Sequence, residues 1–189
     1  QVLPQGVEEK RSVRLELPTL AQIADWDVQH LVDAAVQWNK TAELWENSFH
    51  DVWQGTLRPG GTTWEGSAAE NAQDIAWRDL VKVRGSADSL RVAANIAHAG
   101  AASLSDVKRL ALNAIDDART NEFTVAEDLS VAEVRYRFVA RERESRESMA
   151  DDHAADIRHF AANLVALDRD IAHRLRAIMS GIGAPIYSA

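Results

Sequence analysis

The fold of this 189-residue chain is decided by residues 28–54, VQHLVDAAVQWNKTAELWENSFHDVWQ. Apolar residues recur here every seven positions in two series: Val28, Ala35, Ala42 and Phe49, and Leu31, Trp38, Trp45 and Val52. A two-position seam of this length is typical of an α-helix that packs along another helix. The pattern predicts a helix from Thr19 to about Gln54. Thr19 and Gln22 form a capping box at its start, and Gly55 is the expected C-cap.

A turn and a second helix follow. Residues 57–61 read LRPGG, and proline and glycine favour chain reversal. A capping box of Thr62 with Glu65 predicts that the second helix begins here. Small residues dominate its apolar stripe between Ala69 and Ile115, which lets a neighbouring helix approach closely. We expect this helix to run from about residue 63 to 118, with a kink or break at Gly100 as an open alternative.

The third helix is expected after a structured connection. Residues 121–130 have no helical period, and Phe123, Thr124 and Val125 favour extended structure. A third capping box, Ser130 with Glu133, predicts a helix over residues 131–180. Its apolar stripe is clear only in the second half, at Ile157, Ala161, Leu164, Ile171, Leu175 and Ile178.

Together these elements predict an all-α fold, an elongated up-down-up bundle built on a long helical hairpin. Residues 1–18 are an extended arm, residues 19–180 one helical domain, and residues 181–189 a linker-like tail. The helix lengths place a three-helix core beside residues 63–97. They leave residues 104–138 as a thinly packed two-helix tip, which the N-terminal arm could cover.

Composition excludes several classes of protein. The chain is 46% apolar and 26% charged, which is typical of a globular protein, and its net charge of −8 disfavours nucleic acid as a partner. It contains no cysteine, which excludes disulfides and thiolate metal sites. No apolar run is long enough for stable membrane insertion, and no signal peptide is recognisable. The first residue is not methionine and the end is linker-like, so we expect a fragment of a longer protein.

No motif for catalysis or for cofactor binding stands out. Three Asp-x-x-His pairs resemble halves of metal sites: Asp27 with His30, Asp156 with His159, and Asp170 with His173. Helical geometry puts His159 and His173 opposite the apolar stripe, so we expect solvated surface and no metal. A nucleophile elbow and a phosphate-binding loop are both missing from the sequence. The prediction is therefore a protein without enzymatic activity and without cofactors.

Tryptophan is the unusual feature, with six residues in the chain. Trp38 and Trp45 occupy the heptad seam and are expected in the core. The sequences Trp53-Gln54-Gly55 and Trp64-Glu65-Gly66 flank the turn instead. Trp64 could fasten the hairpin end, with Gly66 allowing a close helix crossing. Alternatively, the two residues present an aromatic anchor and a small-residue notch to a partner helix.

Two long helices joined by a turn that carries Trp-x-Gly resemble the Trp-x-Gly (WXG-like) superfamily of mycobacterial type VII (ESX) secretion substrates. Two segments, GGTTWEGSAAE (60–70) and EFTVAEDLSV (122–131), are similar to N-terminal helical domains of larger secretion-associated proteins and toxins. The resemblance implies a non-enzymatic export and assembly module that pairs with a small helical-hairpin protein and delivers a C-terminal effector region outside these residues. It also implies release to the cell envelope or the exterior without a cleavable signal peptide, after a cytoplasmic stage.

By the same resemblance, Trp64, Gly66, Trp53 and Gly55 are the candidate partner-binding or secretion residues. A cytosolic chaperone would bind the projecting tip, with candidate residues Leu104, Val107, Phe123, Leu129 and Phe138. The family's Tyr-x-x-x-Asp/Glu export signal is missing, since Ala140 stands four residues after Tyr136 and Tyr187 lies too close to the end. Three explanations stay open: a partner chain supplies the signal, the signal lies outside these residues, or the protein is not a substrate. A structural coiled-coil module, for example in phage or envelope assembly, is the alternative function, and a pore-forming helical effector comes third.

Overall fold

The computed structural model describes residues 16–134 and 140–182, with side chains of the second segment from residue 142. These residues form four α-helices, α1 (Leu20–Ala24), α2 (Gln29–Leu57), α3 (Ser67–Thr120) and α4 (Ala140–Ile182). A 3-10 turn spans Pro59–Gly61, and strands β1 (Phe123–Val125) and β2 (Val131–Glu133) pair antiparallel. The three long helices pack against one another, which confirms the all-α helical bundle.

The prediction of one continuous helix from Thr19 to Gln54 is wrong. The capping box of Thr19 and Gln22 is present, but α1 ends after five residues. The chain leaves the helix at residues 25–28, where the Asp27 carboxylate accepts a hydrogen bond from Gln29 N at 2.9 Å and α2 begins. An aspartate that bonds the backbone two residues on competes with continued helix. Gly55 lies inside α2, so it is not the C-cap.

Helix α3 begins later than predicted, while its length and continuity agree with the prediction. It begins at Ser67 with Gly66 as N-cap, so the capping box of Thr62 with Glu65 does not start it. Residues 62–64 are outside any helix. The helix then continues for 54 residues through Gly100 without a break. The glycine there meets the Ile171 side chain, so it serves close packing.

The predicted start of the third helix at Val131 is also wrong. Asp128 accepts hydrogen bonds from Ser130 N and Oγ, at 3.0 and 2.6 Å, and closes a tight turn between the two strands. Residues 131–133 then pair with β1, and Glu133 forms an ion pair with Arg146 instead of capping a helix. Helix α4 therefore begins at Ala140, nine residues later than predicted.

Three apolar clusters run along the bundle. The first joins α1, the β-hairpin, the end of α3 and the first half of α4, around Ile23, Ile115, Leu129 and Ile157. The second joins α2, α3 and α4 around Leu31, Leu104 and Leu164. In the third, Met179 and Ile182 pack near Ala42, Ala87 and Leu90. Helix α4 thus reaches the level of Ala87 at the end of its described part.

Because Ile182 of α4 packs near Ala87 of α3, the part of the bundle with only two helices lies at the opposite end from the predicted one. Beside residues 104–120 of α3, α4 and the β-hairpin complete a packed core. Beyond Ile182, in the described part of the chain, the bundle consists of α2 and α3 alone. Residues 1–15 and 183–189, with most of the predicted arm and tail, lie outside the described residues.

Candidate protein-binding surface

The open part of the bundle consists of residues 43–57 of α2, the connection 58–66 and residues 67–86 of α3, which we name the turn end. Its connection reverses the chain through glycines with positive φ. Gly66 has φ 102° and ψ 173° immediately before α3, a conformation that side-chain-bearing residues rarely adopt. The Trp-x-Gly sequence therefore sets the angle at which the chain enters α3.

The backbone of Trp64 is fastened, while its ring is partly open to solvent. The Gln73 side-chain amide donates hydrogen bonds to the carbonyl oxygens of Thr56, at 3.3 Å, and of Trp64, at 3.5 Å. One α3 side chain thus links the end of α2 to the connection. The Trp64 side chain remains 39% exposed. Both expectations for this residue have a structural counterpart: the backbone is part of the hairpin end, and the indole is accessible.

A row of contacts closes one side of the turn end. The Trp53 and Trp77 rings lie 5.2 Å apart between centroids, and the Arg84 guanidinium lies 6.0 Å from the Trp77 centroid. About two turns further along the bundle, Arg91 donates two hydrogen bonds to the Glu46 carboxylate, at 2.5 and 3.1 Å. The hydrogen bond from Arg91 lowers the pKa of Glu46. These contacts fix α2 against α3 without help from α4.

Large apolar side chains nevertheless remain exposed at the turn end. They are Leu44 at 64%, Val52 at 60%, Trp64 at 39%, Ile75 at 56%, Trp77 at 44% and Val81 at 50%. Exposed apolar side chains that lie close together are candidates for contact with a partner. The sequence did not indicate Leu44, Ile75 or Val81, because these residues lie outside the heptad seam of α2 and the alanine stripe of α3.

The other predicted partner-binding residues have mixed positions. Trp53 is half-buried against Trp77, and Gly55 is exposed in the last turns of α2. A Cβ atom at Gly55 would meet nothing within 4 Å. Trp38 and Trp45, expected in the core, are half-buried on the clusters beside α4.

The residues predicted as a chaperone-binding tip lie mostly in the core. Leu104 and Leu129 are 0% exposed and Phe123 is 2% exposed. Val107 is half-buried against the second cluster, and Phe138 lies outside the described residues. The expectation of a thinly packed tip is therefore wrong. The reason is that α1 and the β-hairpin, which the sequence did not place, cover this end: Leu20 N donates to Glu127 O at 3.1 Å.

The Asp-x-x-His pairs do not form a metal-ligand cluster in the described segments. No group of three or more metal-ligating side chains occurs among them, and His30, His159 and His173 are exposed. A cleft of about 380 Å³ lies between β2 and the start of α4. Arg146 crosses its edge, 2.7 Å from Glu133 and 4.1 Å from the Phe123 ring centroid, so this arginine holds the β-hairpin on α4. No helix in the described ranges has the length and apolar character needed to cross a membrane.

Comparison with known proteins gives mycobacterial relatives without an assigned activity. An uncharacterized protein of Mycobacterium tuberculosis strain H37Rv is 34% identical over 167 residues, which is 88% of this chain and 51% of that protein. Uncharacterized proteins of a second M. tuberculosis strain and of Mycobacterium bovis match to the same extent. The chain thus spans about half the length of the curated relatives it matches. No family model matches it, and no solved structure is significantly similar.

Proposed function

We propose that this chain is a non-enzymatic export and assembly module of a type VII secretion substrate, which pairs through its turn end with a small helical-hairpin protein. The observation that carries the proposal is the accessible indole of Trp64, two residues before Gly66 with its positive φ, at the end of the hairpin that the described part of α4 does not reach. Aromatic side chains at the centre of an open apolar surface are typical anchors of protein interfaces.

Two further findings support this proposal. The Trp-x-Gly sequence stands between two long antiparallel helices, which is the arrangement that the family resemblance requires. The relatives are mycobacterial and about twice the length of the matched region, which agrees with a module that accompanies a further region. A cytosolic chaperone remains part of the proposal. The buried positions of Leu104, Phe123 and Leu129 mean that it would contact other surface residues first.

The test is export of the tagged full-length protein from a mycobacterial host, with and without the ATPase of its type VII system. We expect the protein in the culture filtrate or cell envelope only when the ATPase is present, with a cytosolic marker retained in both strains. Retention in both strains, with the neighbouring genes also expressed, would contradict the proposal. It would then favour a structural coiled-coil module.

A further inference from the structure

Two short elements close the end of the bundle that lies opposite the turn end. Helix α1 has five residues, and each strand of the β-hairpin has three. An isolated helix of fewer than about 12 residues is marginal in water, and so is an isolated two-stranded hairpin. Both elements therefore depend on the contacts that they make with each other and with the long helices.

Helix α1 and the β-hairpin are joined through Glu127, in the turn of the hairpin. The carbonyl oxygen of Glu127 accepts a hydrogen bond from Leu20 N, and its carboxylate accepts one from Ala21 N, both at 3.1 Å. These N–H groups belong to the first turn of α1, where no carbonyl of the helix itself can accept from them. The β-hairpin thus caps α1. We name residues 19–25 and 122–133 together the cover.

The cover is seated on α3 and α4 by three apolar side chains. Ile23 and Leu129 are 0% exposed and Phe123 is 2% exposed. All three belong to the cluster that contains Ile115 of α3 and Ile157 of α4. The cover therefore shields apolar surface of the long helices as well as its own.

The cover is connected to α2 by a joint at residues 25–28, where the chain is not helical. Just past α1, Trp26 packs on the second cluster, and its carbonyl oxygen accepts a hydrogen bond from Lys108 Nζ at 2.9 Å. These contacts hold the joint on α3. Residues 19–25 can therefore leave the bundle without displacing α2.

Backbone strain within the cover favours its release. Glu122 and Leu129 have φ of 65° and 63°, in the left-handed region that is unfavourable for residues with a side chain. Leu129 holds this conformation with its side chain fully buried. Such strain persists only where the surrounding contacts compensate for it, and it is relieved when those contacts are lost.

We propose that the cover opens as one unit: α1 and the β-hairpin lose their seat and their structure together, while the second and third clusters keep the three long helices packed. The closed cover hides Phe123 and Leu129, two of the residues that the sequence indicated for chaperone binding. A protein that contacts these side chains has to bind the open form, so its apparent affinity falls with the fraction of molecules that are open. The opening itself does not rest on the proposed function.

Residue-resolved hydrogen exchange of the full chain, measured by NMR, tests the proposal. The hydrogen-bonded amides of Ile23 and Asp25 report on α1, those of Ala126 and Leu129 report on the β-hairpin, and that of Leu104 reports on the second cluster. We expect the first four amides to share one opening equilibrium. Leu104 should exchange about tenfold or more slowly than these amides.

Truncations in the cover and in the bundle distinguish joint opening from other routes of exchange. Ile23→Ala leaves a cavity in the closed form alone, so it should speed exchange of the α1 and β-hairpin amides by one common factor of about thirtyfold or more. The milder Ile23→Val should speed the same amides about two- to tenfold. Leu90→Ala lies in the third cluster, which stays packed in the open form. It should speed exchange at Leu104 and leave the cover amides unchanged.

Two results would contradict joint opening. If the β-hairpin amides exchange at the same rate in wild type, Ile23→Val and Ile23→Ala, the two elements open separately. If Leu90→Ala speeds the cover amides together with Leu104, the cover opens only when the whole chain unfolds. Either result overturns the inference.

A second pair of variants tests the link through Glu127. Glu127→Ala removes the carboxylate that accepts from Ala21 N, and it should speed exchange in both α1 and the β-hairpin about fivefold. Glu122→Ala, at an exposed position of the same cover, is the matched control and should leave both sets of amides unchanged. Equal exchange rates in the two variants would also overturn the inference.

Discussion

The two ends of α3 have different surroundings. Around Ile115 and Leu129, which are 1% and 0% exposed, α1, the β-hairpin and α4 close the end into a core. At the turn end, Val52 and Ile75 are more than half exposed. Helix α3 is therefore covered by other elements of its own chain at one end, while at the other end apolar side chains of α2 and α3 remain exposed among the described residues. The predictions below test that division, in order of expected effect.

The largest effect is expected in the covered part. Leu164→Ala removes a side chain that is 0% exposed among α2, α3 and α4. A cavity of this kind costs about 2–5 kcal/mol of unfolding free energy. Ile75→Ala at the turn end is the matched control, and should cost less than about 1 kcal/mol. Urea denaturation followed by circular dichroism measures both. Similar losses in the two variants would break the comparison between the ends.

The next effect is expected from the contacts through which Arg146 holds the β-hairpin on α4 at the covered end. Arg146→Ala removes the ion pair with Glu133 and the contact with the Phe123 ring, and both partners of the ion pair are less than one-fifth exposed. We expect a loss of about 2 kcal/mol, because Glu133 is left without its partner. Arg143→Ala, on the same helix and fully outside this ion pair, is the control. Equal melting temperatures of the two variants would contradict a stabilising role of the contacts between Arg146 and the β-hairpin.

A glycine pair tests how closely α4 approaches α3. In Gly100→Ala the new Cβ meets Ile171, which is 3% exposed and cannot move into solvent. We expect a loss of about 1–3 kcal/mol from overpacking. Gly85→Ala has nothing within 4 Å, and it should stabilise the helix by about 0.5–1 kcal/mol. Changes of the same sign in thermal melts would show that α4 is seated elsewhere.

The smallest effect is expected from the ion pair of Glu46 with Arg91, beside the turn end. The hydrogen bond from Arg91 lowers the pKa of Glu46 below its ordinary value of 4.5. The stability that this hydrogen bond contributes is therefore fully present above pH 4.5, and it is lost as the pH falls through the lowered pKa of Glu46. Since both side chains are about one-third exposed, Glu46→Gln should cost less than about 1 kcal/mol at pH 7.

Denaturant titrations of both proteins from pH 7 to pH 3 measure this effect. The difference between wild type and Glu46→Gln should shrink on acidification. Asp106→Asn, which breaks a pair whose two side chains are 68% exposed, serves as the control. A difference that grows on acidification would contradict the assignment.

Periodicity predicted the helices well because the seam of α2 and the alanine stripe of α3 are real packing surfaces. Their boundaries were harder to predict, because local hydrogen bonds competed with the pattern. Asp27 ends one helix and starts another, and Asp128 closes the β-turn where a capping box suggested a helix. The later start of α4 shifts its register on α3. As a result, the two-helix end of the bundle lies at the turn and not at residues 104–138. The sequence pattern alone does not determine this register.

For the candidate surface, the sequence indicated Trp64, Gly66, Trp53 and Gly55 from the Trp-x-Gly resemblance. It could not identify Ile75, because exposure depends on how far α4 reaches. It also proposed Leu104, Phe123 and Leu129 as surface residues, and these lie in the core. The apolar character of a residue predicts contact with something, but only the tertiary register shows whether the contact is within the chain.

The most direct test of the account compares Trp64→Ala with Trp45→Ala, each measured for thermal stability and for export together with partner co-purification. Trp64 is 39% exposed, so its loss should change the unfolding free energy by about 1 kcal/mol or less while abolishing partner binding and export. Trp45→Ala should cost about 2 kcal/mol or more, because it packs on the third cluster. Full export and binding by a stably folded Trp64→Ala protein would contradict the account.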